Sequence, residues 1–363
     1  MKTLQAFFLG IFSLCASAAA HPAVDFSSHA HKRADSSLVG YLGAFFLGDE
    51  PDVYFYLSSN SDPLAFTALN DGDPLIVPTV GTGGVRDPAI VTGGGSEEGK
   101  KWYIVGTDLD ISKTTWSAAQ RTGSLGIYVW ESTNLVDWTN ERLVTVEDDT
   151  AGMVWAPEAL WDEDEGKYLV HWASKFVSVP LFCYQRDIVS FAALKPYLYS
   201  SSDTSHTGTA SADKIRYAYT SDFKTFTDPQ TYIDYSPASV IDLTILSLGS
   251  SSYARFLKNE TATNVFTEIS TDGLFGTWTR PGGSSAIIQK NVEGPAAYWD
   301  NEVDGKARLL LDFFGGSGYA PYESTDVEDG TWTASSTSSF PSGLRHGSVL
   351  PINQTLYDAV KVL

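Results

Sequence analysis

Cysteine is nearly missing from this chain: Cys15 and Cys183 are the only two in 363 residues. A disulfide scaffold is excluded, and so is a zinc site, since there is no C-x-x-C pair or Cys/His cluster. Basic residues are scarce too. Lys and Arg number 24 against 44 Asp and Glu, a formal charge of -20. Such a field repels phosphate backbones and anionic lipid, which removes nucleic acid and membrane surfaces from the expected partners. The nucleophile elbow G-x-S-x-G and the metal pair H-E-x-x-H are lacking, and the Gly81-Thr82-Gly83-Gly84 loop lacks the helix a dinucleotide site needs. What is plentiful is apolar: 43% of residues are hydrophobic and 13% aromatic, beside 31 glycines and 16 prolines. That is the composition of a globular chain with a large core. Its chemistry must rest on carboxylates and aromatic rings, with no cofactor required.

The first 33 residues read as an address. Met1 and Lys2 precede an apolar run over residues 4–14, followed by Ala16-Ser17-Ala18-Ala19-Ala20. A charged start, a core too short to span a bilayer and an A-x-A site make residues 1–20 a secretory signal peptide. Residues 21–33 end in Lys32-Arg33 and read as a propeptide, so the mature chain is expected to run from 34 to 363 as a single domain. His21, His29 and His31 leave with the propeptide, and Cys183 becomes the only cysteine, which excludes an intramolecular disulfide. Asn259-Glu260-Thr261 and Asn353-Gln354-Thr355 are N-glycosylation acceptors that fit a secreted, extracellular protein. A monomer is expected.

No segment after residue 33 carries a helical apolar stripe, whereas short runs such as Trp102-Tyr103-Ile104-Val105 and Leu309-Leu310-Leu311 are strand-like and bounded by Gly, Asp and Ser. The chain reads as all-β. A degenerate phrase, a Ser/Thr-Asp turn closing on an aromatic-Thr pair, recurs over residues 58–67, 131–139, 220–227, 270–279 and 324–333. Repetition of one turn at this spacing predicts a five-bladed β-propeller. Between the copies lies a second series, one ionisable residue followed by an apolar stretch: Asp87, Glu158, Asp242, Glu293 and His346. If each opens the innermost strand of a blade in a common register, all five converge on the channel mouth. His346 opens a last inner strand with little chain after it. The ring is therefore expected to close by pairing that strand with the N-terminal strands around residues 40–46 and 53–57.

Carboxylates around one channel suit glycoside hydrolysis, in which one carboxylic acid protonates the leaving oxygen and an opposed carboxylate activates water or attacks the sugar. Val85-Arg86-Asp87-Pro88, Trp155-Ala156-Pro157-Glu158, Val240-Ile241-Asp242, Val292-Glu293-Gly294-Pro295 and Arg345-His346-Gly347 together resemble glycoside hydrolase family 43. These are five-bladed propeller enzymes acting on arabinose- and xylose-containing polysaccharides. The resemblance spans nearly everything from Gly40 to Ile352. It implies Asp87 as general base, Glu293 as general acid and Asp242 as the residue that tunes and orients the acid. It also implies Glu158 and Arg345 at the substrate, and His346 in the channel beside a water or a bound structural cation, with no catalytic metal.

Trp116 and Trp155 are candidates for stacking on the sugar ring. Glu293 is expected to hold its proton through burial and the nearby charge of Asp242. An inverting enzyme would separate the two carboxyl groups by roughly 6.5–9.5 Å, a retaining one by about 5–5.5 Å. The resemblance implies terminal α-L-arabinofuranosyl groups of plant cell-wall polysaccharides as the substrates. β-Xylosidase, exo-galactanase and a non-catalytic carbohydrate-binding propeller are the alternatives. A fructan-acting enzyme would need an Asn-Asp-Pro setting that is absent. Residues 177–197, apolar for a propeller-top loop, read either as a retained intron or as a lineage-specific insertion.

Overall fold

The computed structural model describes residues 34–177 and 211–363. The expected signal peptide and propeptide, and residues 178–210 with most of the suspected insertion, lie outside the described residues. The chain opens with β1 (Leu38–Leu47), β2 (Glu50–Ser59) and β3 (Asp62–Ala68). The second blade is β4 (Val85–Thr92), β5 (Trp102–Asp108), β6 (Gly126–Ser132) and β7 (Thr139–Thr145). The third is β8 (Trp155–Asp162), β9 (Lys167–Val177), β10 (Ser211–Thr220) and β11 (Gln230–Ile233). Then come β12 (Val240–Gly249), β13 (Ser252–Asn259), β14 (Asn264–Ser270) and β15 (Gln289–Lys290), followed by β16 (Glu293–Trp299), β17 (Ala307–Phe313), β18 (Gly318–Ser324) and β19 (Thr333–Ala334). The last strand, β20 (Leu344–Asn353), pairs antiparallel with β1, Leu38 opposite Asn353 and Leu47 opposite Leu344, and so becomes the inner strand of the first blade.

The five inner strands touch in cyclic order, β20 to β4, β8, β12, β16 and back to β20. This is the expected all-β, five-bladed propeller, closed as predicted between its termini. Both faces of a blade pack on neighbours, which is why the middle strands read as continuous apolar runs and not as alternation. β5, β6 and β14 are buried along their whole length, whereas the outermost β7 is exposed at both ends.

The five copies of the repeated phrase all occupy the connection between the third and fourth strands of a blade. In four of them a hydroxyl caps the turn: Ser132, Thr220, Ser270 and Ser324 each accept a backbone N–H from two residues on. The turn then drops one apolar side chain, Leu135, Phe223, Leu274 or Val327, into the blade interface, where each is buried. Phe223 illustrates the result, its ring 4.3 Å from that of Tyr103 and 4.7 Å from that of Tyr168, which joins the second and third blades.

Two short helices were not expected. After β20 the chain forms a short helix, α1 in the loop after β5 (Trp116–Ala119) being the earlier one, and this α2 (Gln354–Val360) is capped by Asn353, whose Oδ1 accepts the Leu356 N–H at 3.1 Å. Seven residues are too few to display a helical stripe in sequence, and the cap rather than periodicity starts it.

The closing seam leaves little room. A Cβ on Gly347 of β20 would strike the Ala44 carbonyl oxygen of β1 and stand 2.9 Å from the Phe45 ring. Gly347→Ala is expected to destabilise by about 1–3 kcal/mol, read as a lower urea midpoint at unchanged slope. Gly315→Ala, where an added Cβ meets nothing within 4 Å, is the neutral control.

Candidate active site

Each inner strand is interrupted at the same place. Its pairing with the second strand of the blade breaks after Arg86, Trp155, Ile241, Glu293 and Arg345, and resumes at Ala89, Glu158, Thr244, Ala296 and Ser348. Two residues bulge out between. The first is left-handed in four blades, with φ of 52° at Asp87, 47° at Ala156, 53° at Asp242 and 55° at Gly294. Such backbone costs of order 1–3 kcal/mol at a non-glycine residue, and bulges of this kind re-aim side chains. Here the bulge lets consecutive residues face one space. Arg86 and Asp87, Ile241 and Asp242, and Arg345 and His346 all line a cavity of about 610 Å³ at the channel mouth, with Glu293 and Trp155.

The common register expected from the sequence does not hold. Asp87, Asp242 and His346 occupy the first bulge position, Glu293 lies one residue before it, and Glu158 two residues after it. An ionisable residue before an apolar run looks alike on either side of a bulge. The better marker was proline, since Pro88, Pro157 and Pro295 all hold the second bulge position. The offset matters most for Glu158, which was expected at the substrate. Past the bulge it turns off the cavity wall, and its Oε2 accepts the Thr244 hydroxyl at 2.9 Å.

The carboxylates meet different surroundings. The Thr107 hydroxyl donates to Asp87 Oδ2 at 2.7 Å and accepts the Ala156 N–H at 2.7 Å, while His346 Nδ1 stands 3.4 Å from Asp87 Oδ1. Burial alone would raise Asp87, but His346, Arg86 and Thr107 outweigh it and hold the carboxyl below the usual range. Asp242 accepts the Gly294 N–H at 3.0 Å, yet burial, with the charge of Glu293 adding to it, pushes it up to about 7 against the pull of His346 and Lys258. Burial also takes Glu158 up to about 7. His346 resists its own burial: the bond to Asp87 and the charges of Asp242, Asp87 and Glu158 raise it to about 9, so it is an imidazolium at neutral pH.

Sequence reasoning missed the residues that hold this wall from behind. Thr107, Lys258 and Asp312 lie on second strands, directly opposite Arg86, Ile241 and Glu293. Lys258 Nζ is 2.7 Å from Glu293 Oε2 and 2.6 Å from Glu260 Oε2. Asp312, fully buried, takes Arg345 Nε at 2.8 Å, and Arg345 Nη2 stands 3.6 Å from Glu293 Oε1. The structure thus sets two cations on Glu293, where burial and the charge of Asp242 had been expected to act. A charged residue ending an apolar run, as in Leu309-Leu310-Leu311-Asp312 and Phe256-Leu257-Lys258, was the available signal.

Both expected tryptophans border the cavity. Trp116 is 51% exposed, edge-to-face with half-buried Trp155 at 6.0 Å, and the Arg86 guanidinium bridges Trp116 and Phe46 at 5.3 and 4.3 Å from their rings. Among the described residues no cluster of three His, Cys, Asp or Glu side chains is disposed to hold a metal ion.

The sequence matches the glycosyl hydrolase 43-related family described as "Probable glycosyl hydrolase domain" over residues 36–180 and 184–358. The chain belongs to this family. Over 229 residues it is 34% identical to an α-L-arabinofuranosidase of Bifidobacterium longum subsp. longum, a match covering 61% of this chain and 20% of that protein. The chain therefore spans about a fifth of the length of that curated relative. Among solved structures it resembles the catalytic domain of the Coprinopsis cinerea GH62 α-L-arabinofuranosidase (TM-score 0.46, 14% identity, 76% of this chain and 77% of that one). A protein of unknown function from Dyadobacter fermentans gives TM-score 0.48 at 11% identity, covering 86% of each chain.

The buried carboxyl of Glu158 in this glycosyl hydrolase 43-related chain makes stability depend on pH. Its folded value of about 7 lies above the ordinary 4.5, so between those limits the folded state holds the extra proton and stability falls as pH rises. Glu158→Gln is expected to flatten the decline in urea stability across that window, leaving the part due to the other carboxyls that burial raises, among them Asp242, Asp312 and Glu147.

Proposed function

We propose that this protein is a secreted, inverting glycoside hydrolase that removes terminal α-L-arabinofuranosyl groups from plant cell-wall polysaccharides. One observation carries the reading: Asp87 and Glu293, from two different blades, face a single cavity, the pair of carboxyl groups that an acid and a base of one reaction require. The sugar is supported by the relationship to the Bifidobacterium arabinofuranosidase. Extracellular action is supported by the sequence of residues 1–33.

In this reading Asp87, kept ionised by His346, Arg86 and Thr107, takes a proton from a water as the water oxygen bonds to the anomeric carbon. Glu293 gives its proton to the departing glycosidic oxygen as that C–O bond breaks, and water restores it afterwards. Lys258, paired with Glu260 at 2.6 Å, and Arg345, paired with Asp312 at 2.8 Å, each keep a carboxylate partner when Glu293 carries the proton. Asp242, poised near neutrality and tied to the backbone of Gly294, orients the acid through the residue next to it. We place water and not a cation beside His346, because the imidazolium already supplies the positive charge that Asp87, Asp242 and Glu158 call for. Trp116 and Trp155 offer rings to the sugar.

Asp87→Asn is expected to lower kcat by about 10²–10⁴-fold on every substrate, since water activation is needed whatever leaves. Glu293→Gln should hurt least on aryl glycosides whose leaving group needs no proton. Proton NMR of the first-formed arabinose should show inversion, and a retained anomer would overturn both roles.

His346→Ala bears on the same base. With the imidazolium 3.4 Å from Asp87, its removal leaves burial to dominate and raises the Asp87 value. The acidic limb of kcat/KM should move to higher pH, and an unmoved limb would remove His346 from the base's surroundings.

A further inference from the structure

The acceptor sequence Asn259-Glu260-Thr261 sits on the hairpin between β13 and β14, at the end that faces the cavity. Lys258, Glu260 and Thr263 of this hairpin line the cavity mouth. Side chains alternate along a strand, so Asn259 points to the other side of β13 from Lys258. A group attached there leaves the rim beside the mouth without filling it. The asparagine is built to accept such a group. Its Oδ1 holds the turn by accepting the Ala262 N–H at 2.8 Å, an atom that N-glycosylation leaves intact. Its Nδ2 has no hydrogen-bond partner among the described residues and is not buried. Thr261 and Ala262 next to it are exposed.

The other acceptor provides an internal contrast. Asn353 ends β20, the strand that begins at the cavity with Arg345, and lies roughly 25 Å along it at 3.3 Å per residue. One acceptor therefore stands at the mouth and one toward the far end of the channel.

We propose that Asn259 carries an N-linked glycan that stands beside the cavity mouth and restricts the approach of polysaccharide chains while leaving small glycosides free access. A bulky hydrophilic glycan on the blade of Lys258 and Glu260 obstructs a polymer crossing that rim, and a single sugar passes beneath it. The proposal rests on the secretory, arabinoside-cleaving reading given above.

The test uses the full chain secreted from an N-glycosylating eukaryotic host, beside Asn259→Asp and Asn353→Asp, which keep the turn acceptor and the helix cap respectively. Peptide mass mapping reads occupancy. The expected result is a glycan on Asn259. In Asn259→Asp, turnover of arabinan and arabinoxylan should rise several-fold relative to p-nitrophenyl α-L-arabinofuranoside, with the ratio unchanged in Asn353→Asp. An unmodified Asn259 in the secreted protein overturns the proposal, as does a ratio that stays constant in Asn259→Asp or rises equally in Asn353→Asp. Should no arabinoside be cleaved, the proposed activity fails while occupancy still decides the site. Retardation in gels containing soluble arabinoxylan then reads access without turnover: Asn259→Asp more retarded than the parent supports the glycan's role, and equal mobility overturns it.

Discussion

A strand laid along a channel wall shows that channel only every second side chain, and a site needing adjacent residues in one place cannot be built on an unbroken ladder. The two-residue bulge shared by all five inner strands removes that limit at one level of the propeller. It brings Arg86 with Asp87 and Arg345 with His346 to one cavity, and it does so with left-handed backbone at Asp87, Ala156 and Asp242. Strain of that kind persists only where the surroundings over-determine it. The surroundings are visible: Thr107 ties Asp87 to the backbone of Ala156, and Asp242 ties to the backbone of Gly294. Each link spans two neighbouring blades, so the bulges hold one another in place.

The same links divide one kind of side chain into two kinds of acid. Asp87 and Asp242 share residue type, strand position and backbone conformation, yet the first lies below the ordinary range and the second rises to about 7. What separates them is the side on which the cations stand. Asp87 has His346, Arg86 and a donated hydroxyl, while Asp242 has burial and the charge of Glu293, with His346 and Lys258 acting against them. In a chain of net charge -20, the gathering of Arg86, Lys258, Arg345 and His346 around one cavity is the feature that lets several carboxylates approach each other at all.

The fold was legible because its signal repeats. Five turns, four Ser/Thr-Asp and one Thr133-Asn134, each with its aromatic-Thr ending, mark five third-to-fourth connections, and a lone inner strand at the end of the chain, beside unpaired strands at its start, states how the ring closes. Asp87, Asp242, Glu293 and His346 were legible at the mouth for the same reason, and Arg345 through the family resemblance. Register within the mouth was not, because a bulge shifts side chains without changing the pattern of residue types, and Glu158 was carried to the wrong side of one. Thr107, Lys258 and Asp312 escaped because they act across the sheet from second strands, where a charged residue ending an apolar run reads as the edge of a strand. Their pairing with Arg86, Ile241 and Glu293 is a fact of three-dimensional register that linear order does not carry.

Lys258 shows how far that hidden layer reaches. Its ammonium is shared between Glu293 at the cavity and Glu260 on the turn of the β13 to β14 hairpin, at nearly equal distances. A cation held between two carboxylates ties them together, so the Lys258 ammonium fixes Glu293 to the turn that follows β13. The hairpin turn is therefore joined to the Glu293 wall of the cavity through one side chain. Glu260 and Thr263 of the same turn line the cavity mouth, so the rim and the position of Glu293 are held by one hairpin.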